Sequence, residues 1–501
     1  MAAAPVVVVE LGIAAIHQSM RAGSLSARAL TEAYLARIAA YDQQGPALNA
    51  VVCVAEDALA KADALDEAFA RSHQLTGPLH GIPLLVKDNV DVDGLPSSSG
   101  VAAFRDYLPP GDAHTIARLR AAGAILLGKT TMPDFASSWW AYSSLSGETR
   151  NPYDLARDPG GSSAGSGAAT AASFATAAIG TDCGGSIRLP ASCNGLVGIR
   201  GTPGLVSRSG SGPLVHLQDT VGPMTRTVED AARVYEVMIG YDPQDEVSAQ
   251  SWAARAPTSY LAALDRDGLR GARVGLLLDA LGSDGDEHAA PVNTVIRAAC
   301  ASLRAAGAIV EEVRLPDLSR HIVDTSMYVN CSRHAINSYL MARPELPLRS
   351  LQQVIERQAY HPMLDLLEAC VYGPEMPEYD PLYFRRLAAR EQFARAVLNV
   401  MAGARLDALI FPTVQVQPPT RAQLADKVWT TLTFPTNTLI ASQTWLPSVT
   451  VPAGFTPQRM PVGLEFLGRP YDEASMLRLA YGFEQATLAR RAPDTTPELS
   501  V

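Results

Sequence analysis

Apolar residues recur at helical spacing near the start of the chain. Leu30, Tyr34 and Ile38 follow one another at intervals of four residues, and Ser26 stands where a helix N-cap is expected. A second, alanine-rich stretch at 56–71 has the composition of a helix. The pattern therefore predicts that the chain opens with helices.

Short runs of consecutive apolar residues predict buried strands further along. These runs lie at 82–86, 274–278, 447–452 and 462–467. The sequence LRAAGAI occurs at 119–125 and again at 303–309. Each copy is typical of a helix that ends at a glycine and leads into a buried strand. An amphipathic helix is predicted at 476–486. Together these elements indicate an α/β protein with a largely buried sheet.

Composition narrows the class of protein. With 501 residues, of which 47% are hydrophobic and 18% charged, the chain can bury one large core or two domains. A net charge of −10 argues against nucleic acid as a partner. The apolar run Pro5–Val9 is too short for a signal peptide, and no stretch approaches the ~20 apolar residues of a membrane span. We expect a soluble, cytoplasmic protein.

No metal or disulfide pattern is visible. The six cysteines show no CxxC spacing, and the nine histidines show no HExxH motif. The acidic segment 283–288 lacks the further ligands of a calcium loop, so we interpret it as a loop before a helix at 292–303. His80 and His216 are expected to be structural, although a Ser–His triad stays open on these residues alone.

Two glycine–serine loops mark the candidate chemistry. They read GGSSAG at 160–165 and DCGGS at 182–186, with an alanine-rich segment between them. Paired glycines permit backbone conformations in which a hydroxyl and several N–H groups converge. That arrangement suits a serine nucleophile with an oxyanion hole made of backbone amides. A flexible linker is the alternative for such a composition.

Other loop chemistries fit less well. No Lys-Ser or Lys-Thr follows either loop, as a phosphate-binding P-loop requires, and the S-x-x-K pattern of β-lactamases is absent. Residues 161–165 match G-x-S-x-G, which would make Ser163 the nucleophile. The preceding stretch 150–159 is rich in turn formers and cannot supply the buried strand of such an elbow, so this alternative is weaker.

The loops belong to a longer set of motifs. GGSSAGSG and GTDCGGSIRLPAS combine with GPLHGIPLLVKDNV at 77–90, and with TRNPYD, GLVSRSG, QDTVGPMTR, DALIFPT and MPVGLEFLG elsewhere. In this combination the chain resembles the amidase signature family of Ser–Ser–Lys hydrolases, including its peptide amidases, aryl acylamidases and urethanases. The resemblance implies an αβα sandwich in which helices flank a central twisted mixed β-sheet.

The resemblance also assigns roles to residues. Ser186 falls on the nucleophile, Ser162 on a bridging serine with a cis peptide bond, and Lys87 on the base. Lys87 directly follows an apolar run, and burial lowers the pKa of a lysine. The implied oxyanion hole consists of the backbone amides of Cys183, Gly184, Gly185 and Ser186. The implied supporting residues are Ser163, Asp182 and Arg188, and the implied pocket residues are Ser137, Trp140 and Tyr142, with Trp139 beside them.

The function implied is hydrolysis of C–N bonds through an acyl-enzyme, with no cofactor and no metal. We expect apolar or aryl carboxamides as substrates, and carbamate, anilide and ester bonds are further candidates. The alternative is the glutaminase subunit of a tRNA-dependent amidotransferase, which Leu189 disfavours because glutamine is expected there. A binding protein with a relic site is the third possibility. The chain departs from the family pattern at Ala164, where many members have glycine, and at Arg200-Gly201-Thr202, where Lys-Pro-Thr is common.

The expected organisation is one amidase domain over 1–501. It comprises a signature core at 65–230, a helical cap at 316–425 that influences substrate choice, and a C-terminal part of the core at 430–501. The expected partner is a small amide or carbamate substrate, and the expected assembly is a monomer or homodimer.

Overall fold

The computed structural model describes residues 6–254 and 259–499, so Pro5 of the first apolar run lies outside the described residues. The strands are β1 (Val51–Val54), β2 (Pro83–Lys87), β3 (Ile125–Thr130), β4 (Tyr142–Ser143), β5 (Gly147–Glu148), β6 (Ala177–Asp182), β7 (Val197–Arg200), β8 (Thr220–Thr225), β9 (Arg273–Leu277), β10 (Ile309–Val313), β11 (Ala408–Pro412), β12 (Ser448–Phe455) and β13 (Pro461–Leu467). The α-helices are α1 (Ile13–Arg21), α2 (Ala27–Tyr41), α3 (Ala58–Ser72), α4 (His114–Ala121), α5 (Ala164–Ala171), α6 (Arg188–Cys193), α7 (Val228–Met238), α8 (Gln250–Ala253), α9 (Ala290–Ala305), α10 (Leu318–Asp324), α11 (Tyr328–Met341), α12 (Leu351–Glu356), α13 (Asp365–Cys370), α14 (Leu382–Ala404), α15 (Arg421–Ala425), α16 (Thr438–Thr444) and α17 (Glu473–Thr487).

A large mixed sheet forms the centre of the molecule. Within the described residues it has eleven strands in the order β1-β3-β2-β6-β8-β7-β12-β13-β11-β9-β10. Strand β2 runs parallel to β3 on one side and to β6 on the other. Since parallel strands end at the same edge of a sheet, the last residue of β2, Lys87, lies beside the loop that follows β6.

Helices flank this sheet. Helices α5 and α6 pack together and against its central strands, while α17 contacts both α7 and α9, and these three helices pack on strands β7, β8 and β10–β13. The buried alanines of α5 and β6 allow helix and strand to approach closely, as the alanine-rich segment indicates. The predicted α/β sandwich with a mixed sheet is therefore confirmed.

Most predicted elements are present. Ser26 caps α2 by accepting a hydrogen bond from the backbone N–H of Ala29 at 3.0 Å. Gly123 and Gly307 both have positive φ, +92° and +93°, where each LRAAGAI helix ends. The burial prediction is wrong for β10, in which Ile309 is 45% exposed. This strand lies at the edge of the sheet, so one side has no covering neighbour.

The segment from α10 to α14 is helical, and β11 then returns the chain to the sheet at Ala408. Its helices share a second apolar cluster with residues of the signature region, among them Trp139, Cys183 and Leu189. The helical segment therefore packs directly on the second serine loop, where Tyr328 lies against Gly184. Across the described ranges no helix, the long α14 included, is apolar enough over sufficient length to cross a membrane.

Candidate active site

The structure brings the predicted base and bridging serine into contact. Lys87 Nζ lies 2.7 Å from Ser162 Oγ, although the two residues are 75 positions apart in the chain. Thr181 holds the amine from the other side, with its Oγ1 at 2.7 Å and its carbonyl oxygen at 3.4 Å. Lys87 and Thr181 are placed by the neighbouring ends of β2 and β6, and Ser162 by the loop before α5.

The surroundings of Lys87 favour its neutral form. Its side chain is fully buried, and burial lowers its pKa from 10.5 to about 7, although Asp182, Asp219 and Cys183 partly oppose this shift. A charged amine can only donate hydrogen bonds, whereas a neutral amine carries a lone pair that accepts one from a serine hydroxyl. The geometry and the lowered pKa together make Lys87 a competent proton acceptor for Ser162 near neutral pH.

The first serine loop is held against the second. The peptide bond between Gly161 and Ser162 is cis, as the resemblance implies. The backbone N–H of Ser163 donates to the carbonyl of Ser186 at 3.2 Å, and Ser163 Oγ donates to the carbonyl of Thr181 at 3.2 Å. Ser163 is fully buried and joins the loops, which is a supporting position and not that of an exposed elbow nucleophile.

Ser186 lies on the cavity side of this contact. In the parts of the chain that the structure describes, its hydroxyl makes no hydrogen bond, and the link to Ser162 Oγ that a proton relay needs is not formed. Its side chain lines a small cavity. Hydrogen bonds of active sites are often long without substrate and shorten when substrate binds, so this geometry is compatible with a relay.

Four consecutive backbone amides, those of residues 183–186, lead up to and include Ser186. Among the described residues, the N–H groups of 183–186 donate no hydrogen bond, so they are available to a ligand. The glycines are required sterically, since a Cβ on Gly184 would overlap Tyr328 Oη and one on Gly185 would overlap Thr438. Gly185 also has a φ of +144°. The loop thus carries four free amides and packs closely against the starts of α11 and α16.

A buried ionic network fixes the base of this loop. Arg188 donates to Asp182 at 3.0 Å and to Glu465 of β13 at 2.5 Å, and Arg200 donates to Asp182 at 2.9 Å. Burial alone would raise the pKa of Asp182, but the two guanidinium groups outweigh it and lower the pKa to about 2. The predicted supporting residues Asp182 and Arg188 therefore anchor the loop from below. Arg200, the departure from the family's lysine, is part of the same network.

The cavity at Ser186 differs from the predicted pocket. Its other lining residues are Ala136, Ser138, Trp139, Cys183, Leu214, Tyr328, Leu366 and Thr431. Ser137, Trp140 and Tyr142 are not among them. Ser137 turns back to donate to the carbonyl of Asp134, Trp140 packs edge-on against Phe434, and Tyr142 stacks on His361. The partners of these three side chains lie outside the lining of the Ser186 cavity.

Several residues at the site carry no sequence signal that we recognised. Tyr328 begins α11, and its buried hydroxyl has no hydrogen-bond partner among the described residues although it faces the Ser186 cavity. Thr181 and Glu465 reach Lys87 and Arg188, respectively, only because the folded sheet brings their strands to the site. A second small cavity adjoins Ser162 and is lined in part by Arg208, His216 and Asp219. Such groups can be recognised only from contacts between residues that are far apart in the sequence.

The histidine and metal alternatives receive no support. His80 accepts a hydrogen bond at Nδ1 from the backbone N–H of Thr76 and lies away from the serines, and His216 borders the second cavity. Within residues 6–254 and 259–499 no histidine hydrogen-bonds to Ser162 or Ser186. No cluster of potential metal ligands occurs in those ranges either.

Known proteins match the chain over nearly its whole length. The family model described as Amidase matches residues 29–477. The chain belongs to the amidase signature family. A glutamyl-tRNA(Gln) amidotransferase subunit from Symbiobacterium thermophilum is 35% identical, with 97% of this chain and 99% of the relative covered.

Solved structures give the same family. Native peptide amidase from Stenotrophomonas maltophilia is 37% identical with a TM-score of 0.85, covering 97% of this chain and 99% of that one. The glutamyl-tRNA(Gln) amidotransferase subunit from Thermotoga maritima is 25% identical with a TM-score of 0.77, covering 97% and 98%. The protein is therefore an enzyme of the amidase family that hydrolyses C–N bonds.

Proposed function

We propose that this enzyme is a free-standing amidase that cleaves apolar or aryl carboxamides through an acyl-enzyme on Ser186. The observation that carries the proposal is the chemistry of the Ser186 cavity. None of the described residues that line it is charged, and Trp139, Leu214 and Leu366 provide apolar surface. An apolar acyl group gains free energy in such a cavity, at roughly 25 cal/mol per Å² buried.

The proposed proton path begins at the buried amine. Neutral Lys87 takes a proton from Ser162, and Ser162 takes one from Ser186, whose oxygen attacks the substrate carbonyl. The free amides of 183–186 donate to the oxyanion. Loss of one such donor costs about 3–4 kcal/mol in other serine hydrolases.

The same path then runs backwards. Protonated Lys87 returns a proton through Ser162 to the leaving nitrogen, which departs as an amine or ammonia and leaves Ser186 acylated. Water attacks the acyl-enzyme with the relay acting again as base, and the acid is released. Carbamate, anilide and ester bonds present the same carbonyl to the same groups, so they remain candidate substrates. The path requires no metal or organic cofactor.

Glutamine hydrolysis is the second candidate, and a specific observation favours it. The curated relatives, such as the Symbiobacterium protein, belong to amidotransferases, and this supports the glutaminase alternative over the free-standing amidase. Glutamine carries an ammonium and a carboxylate that need charged partners when buried. Near the site, Arg208 already pairs with Asp245, and Asp219 accepts the backbone N–H groups of Leu214 and Val215. The occupied charges support the apolar substrate.

Purified single chain, with Ser186→Ala as control, should be assayed against four substrates. These are glutamine, acetanilide, N-acetylphenylalaninamide and an aryl carbamate. We expect hydrolysis of N-acetylphenylalaninamide or the anilide that is lost in the variant, with unchanged melting temperature. Turnover of glutamine alone would move the enzyme to the amidotransferase class, and residual activity in Ser186→Ala would remove Ser186 as nucleophile. Size-exclusion chromatography with light scattering would test the expected monomer or homodimer.

A further inference from the structure

A buried glutamine, Gln218, hydrogen-bonds to the loop that carries the free amides. Gln218 lies just before β8 and is 1% exposed. Its Nε2 donates to the carbonyl oxygen of Cys183 at 2.9 Å. Its Oε1 accepts a hydrogen bond at 2.7 Å from Arg390, which lies on α14 in the helical segment. A continuous chain of hydrogen bonds thus runs from that segment to the loop at Ser186.

The contact with Cys183 determines where one amide points. The carbonyl of Cys183 and the N–H of Gly184 belong to one planar trans peptide unit, in which the two groups point in opposite directions. Holding the carbonyl in one direction therefore fixes the N–H of Gly184 in the other. That N–H is one of the four amides with no partner among the described residues. Gln218 thus controls a proposed oxyanion donor without touching the substrate.

Arg390 determines which end of the glutamine amide faces the loop. A guanidinium only donates hydrogen bonds, so it selects the oxygen of the Gln218 amide and leaves the NH2 group facing Cys183. Arg390 has little freedom itself. It is 2% exposed, donates to the carbonyl of Ser442 at 3.0 Å, and stacks over Trp445 with its guanidinium carbon 5.1 Å from the ring centre.

We propose that Gln218 and Arg390 are positioning residues for the oxyanion hole, through which the helical segment acts on catalysis and not only on substrate choice. This inference rests on the proposed role of the 183–186 amides. Its consequence is that loss of either side chain weakens stabilisation of the tetrahedral adduct more than it weakens binding of the substrate.

The sharpest variant is Gln218→Glu. It keeps the shape and an oxygen for Arg390, but replaces the NH2 donor by a second oxygen that repels the Cys183 carbonyl. Gln218→Met removes the donor without adding charge. The assay uses the amide that wild type hydrolyses fastest in the panel above, with the aldehyde of the same acyl group as a tetrahedral-adduct inhibitor. For N-acetylphenylalaninamide this is N-acetylphenylalaninal.

We expect both variants to lower kcat by about 10-fold or more, with KM changed by less than about threefold. The inhibition constant of the aldehyde should rise by the same factor as kcat/KM falls. A fall in kcat without weaker aldehyde binding would overturn the proposal, as would wild-type kinetics in both variants. If Ser186→Ala stays active, the proposed function itself fails, which is a different outcome.

Arg390→Met tests the outer member of the pair. It should reproduce the kinetic effect of Gln218→Met, and the double variant should be no slower than the slower single variant, because both act through one hydrogen bond. Matched controls are Arg386→Met, one turn earlier on α14 and bonded to the carbonyl of Ser326 at 2.7 Å, and Gln443→Met, a buried glutamine bonded to Thr325. Both controls should keep wild-type kcat. Additive losses in the double variant would contradict the proposal, and if Arg390→Met does not fold, the Gln218→Glu result decides.

Discussion

At the scale of single residues, the state of one buried amine governs the proposed chemistry. Lys87 is fully buried, and its pKa lies near 7 instead of 10.5. Only the neutral amine accepts a proton from Ser162. Activity should therefore follow the fraction of neutral Lys87, which rises through this pH and then levels off.

The first prediction is that kcat/KM increases about tenfold per pH unit below pH 6 and reaches a plateau above pH 8. Lys87→Met should be inactive throughout, because no base remains, and Lys87→Arg should be inactive because its guanidinium stays charged. Initial rates from pH 5 to 10 measure this profile, with melting temperatures checked at each pH. A profile that is flat across pH 7 would exclude a lysine base with this pKa.

The second residue-scale prediction concerns the unpartnered hydroxyl of Tyr328. Burial raises its pKa far above the ordinary value, so it stays protonated and able to donate to a substrate. Tyr328→Phe should lower kcat/KM about 10-fold, the value of one hydrogen bond, and leave the melting temperature unchanged because no partner is lost. Tyr339→Phe on the same helix is the control and should leave kinetics unchanged. Equal effects of the two substitutions would argue against a substrate contact.

Part of this site could be predicted from the sequence, and there is a physical reason for it. Lys87 is conspicuous because a charge follows an apolar run, and Gly184–Ser186 because paired glycines next to serine are unusual in a buried segment. Tyr328 is one of 16 tyrosines, and its role depends on which cavity its hydroxyl meets. Ser137, Trp140 and Tyr142 show the converse, since proximity in sequence to the first loop did not decide which side chains turn inward.

At the scale of elements, buried ion pairs hold α6 against the sheet. Arg188, the first residue of this helix, joins Asp182 at the end of β6 to Glu465 in the middle of β13, and all three side chains are fully buried. Each charge has lost its hydration, so its stability depends on its partners. These ion pairs compensate the cost of burying the charges and hold the loop at 182–186, which precedes α6, at a fixed position.

The third prediction follows from this burial. Arg188→Met should lower the free energy of unfolding by about 3–5 kcal/mol, because buried Glu465 loses its cationic partner and buried Asp182 keeps only Arg200. Arg395→Met, which breaks an exposed ion pair with Glu391 on α14, should cost no more than about 1 kcal/mol. Chemical denaturation of both variants measures the difference. Similar losses in the two variants would contradict a stabilising role that depends on burial.

Element boundaries were predictable where local pattern and tertiary setting agree. The cap at Ser26, the glycines after α4 and α9, and the apolar strands β2 and β13 follow from local chemistry. The exposure of β10 could not be read from its apolar residues, because the same pattern serves a central strand and an edge strand. Strand order decides burial here, and order is a property of the whole sheet.

At the scale of the whole molecule, the candidate site lies between two parts of the chain. The signature motifs supply Lys87, Ser162 and Ser186. The helical segment supplies Tyr328 and Leu366 to the wall of the cavity that Ser186 lines. The two parts share one apolar cluster. Apart from the proposed Gln218–Arg390 contact, this division suggests that acyl-group selectivity can be changed at the cavity wall without changing the base Lys87.

The last prediction tests that division. Leu366→Ala enlarges the Ser186 cavity, so selectivity should shift toward amides with bulkier acyl groups, while the pH profile set by Lys87 stays unchanged. The matched control is Leu367→Ala, since Leu367 is equally buried in the same helix but does not line the cavity. Both truncations should cost about 2–5 kcal/mol of stability, so lost packing alone affects them alike. Ratios of kcat/KM for naphthylacetamide over phenylacetamide measure the effect. A rise in this ratio for Leu366→Ala alone assigns selectivity to the helical segment, whereas equal ratios in both variants would place the acyl group elsewhere.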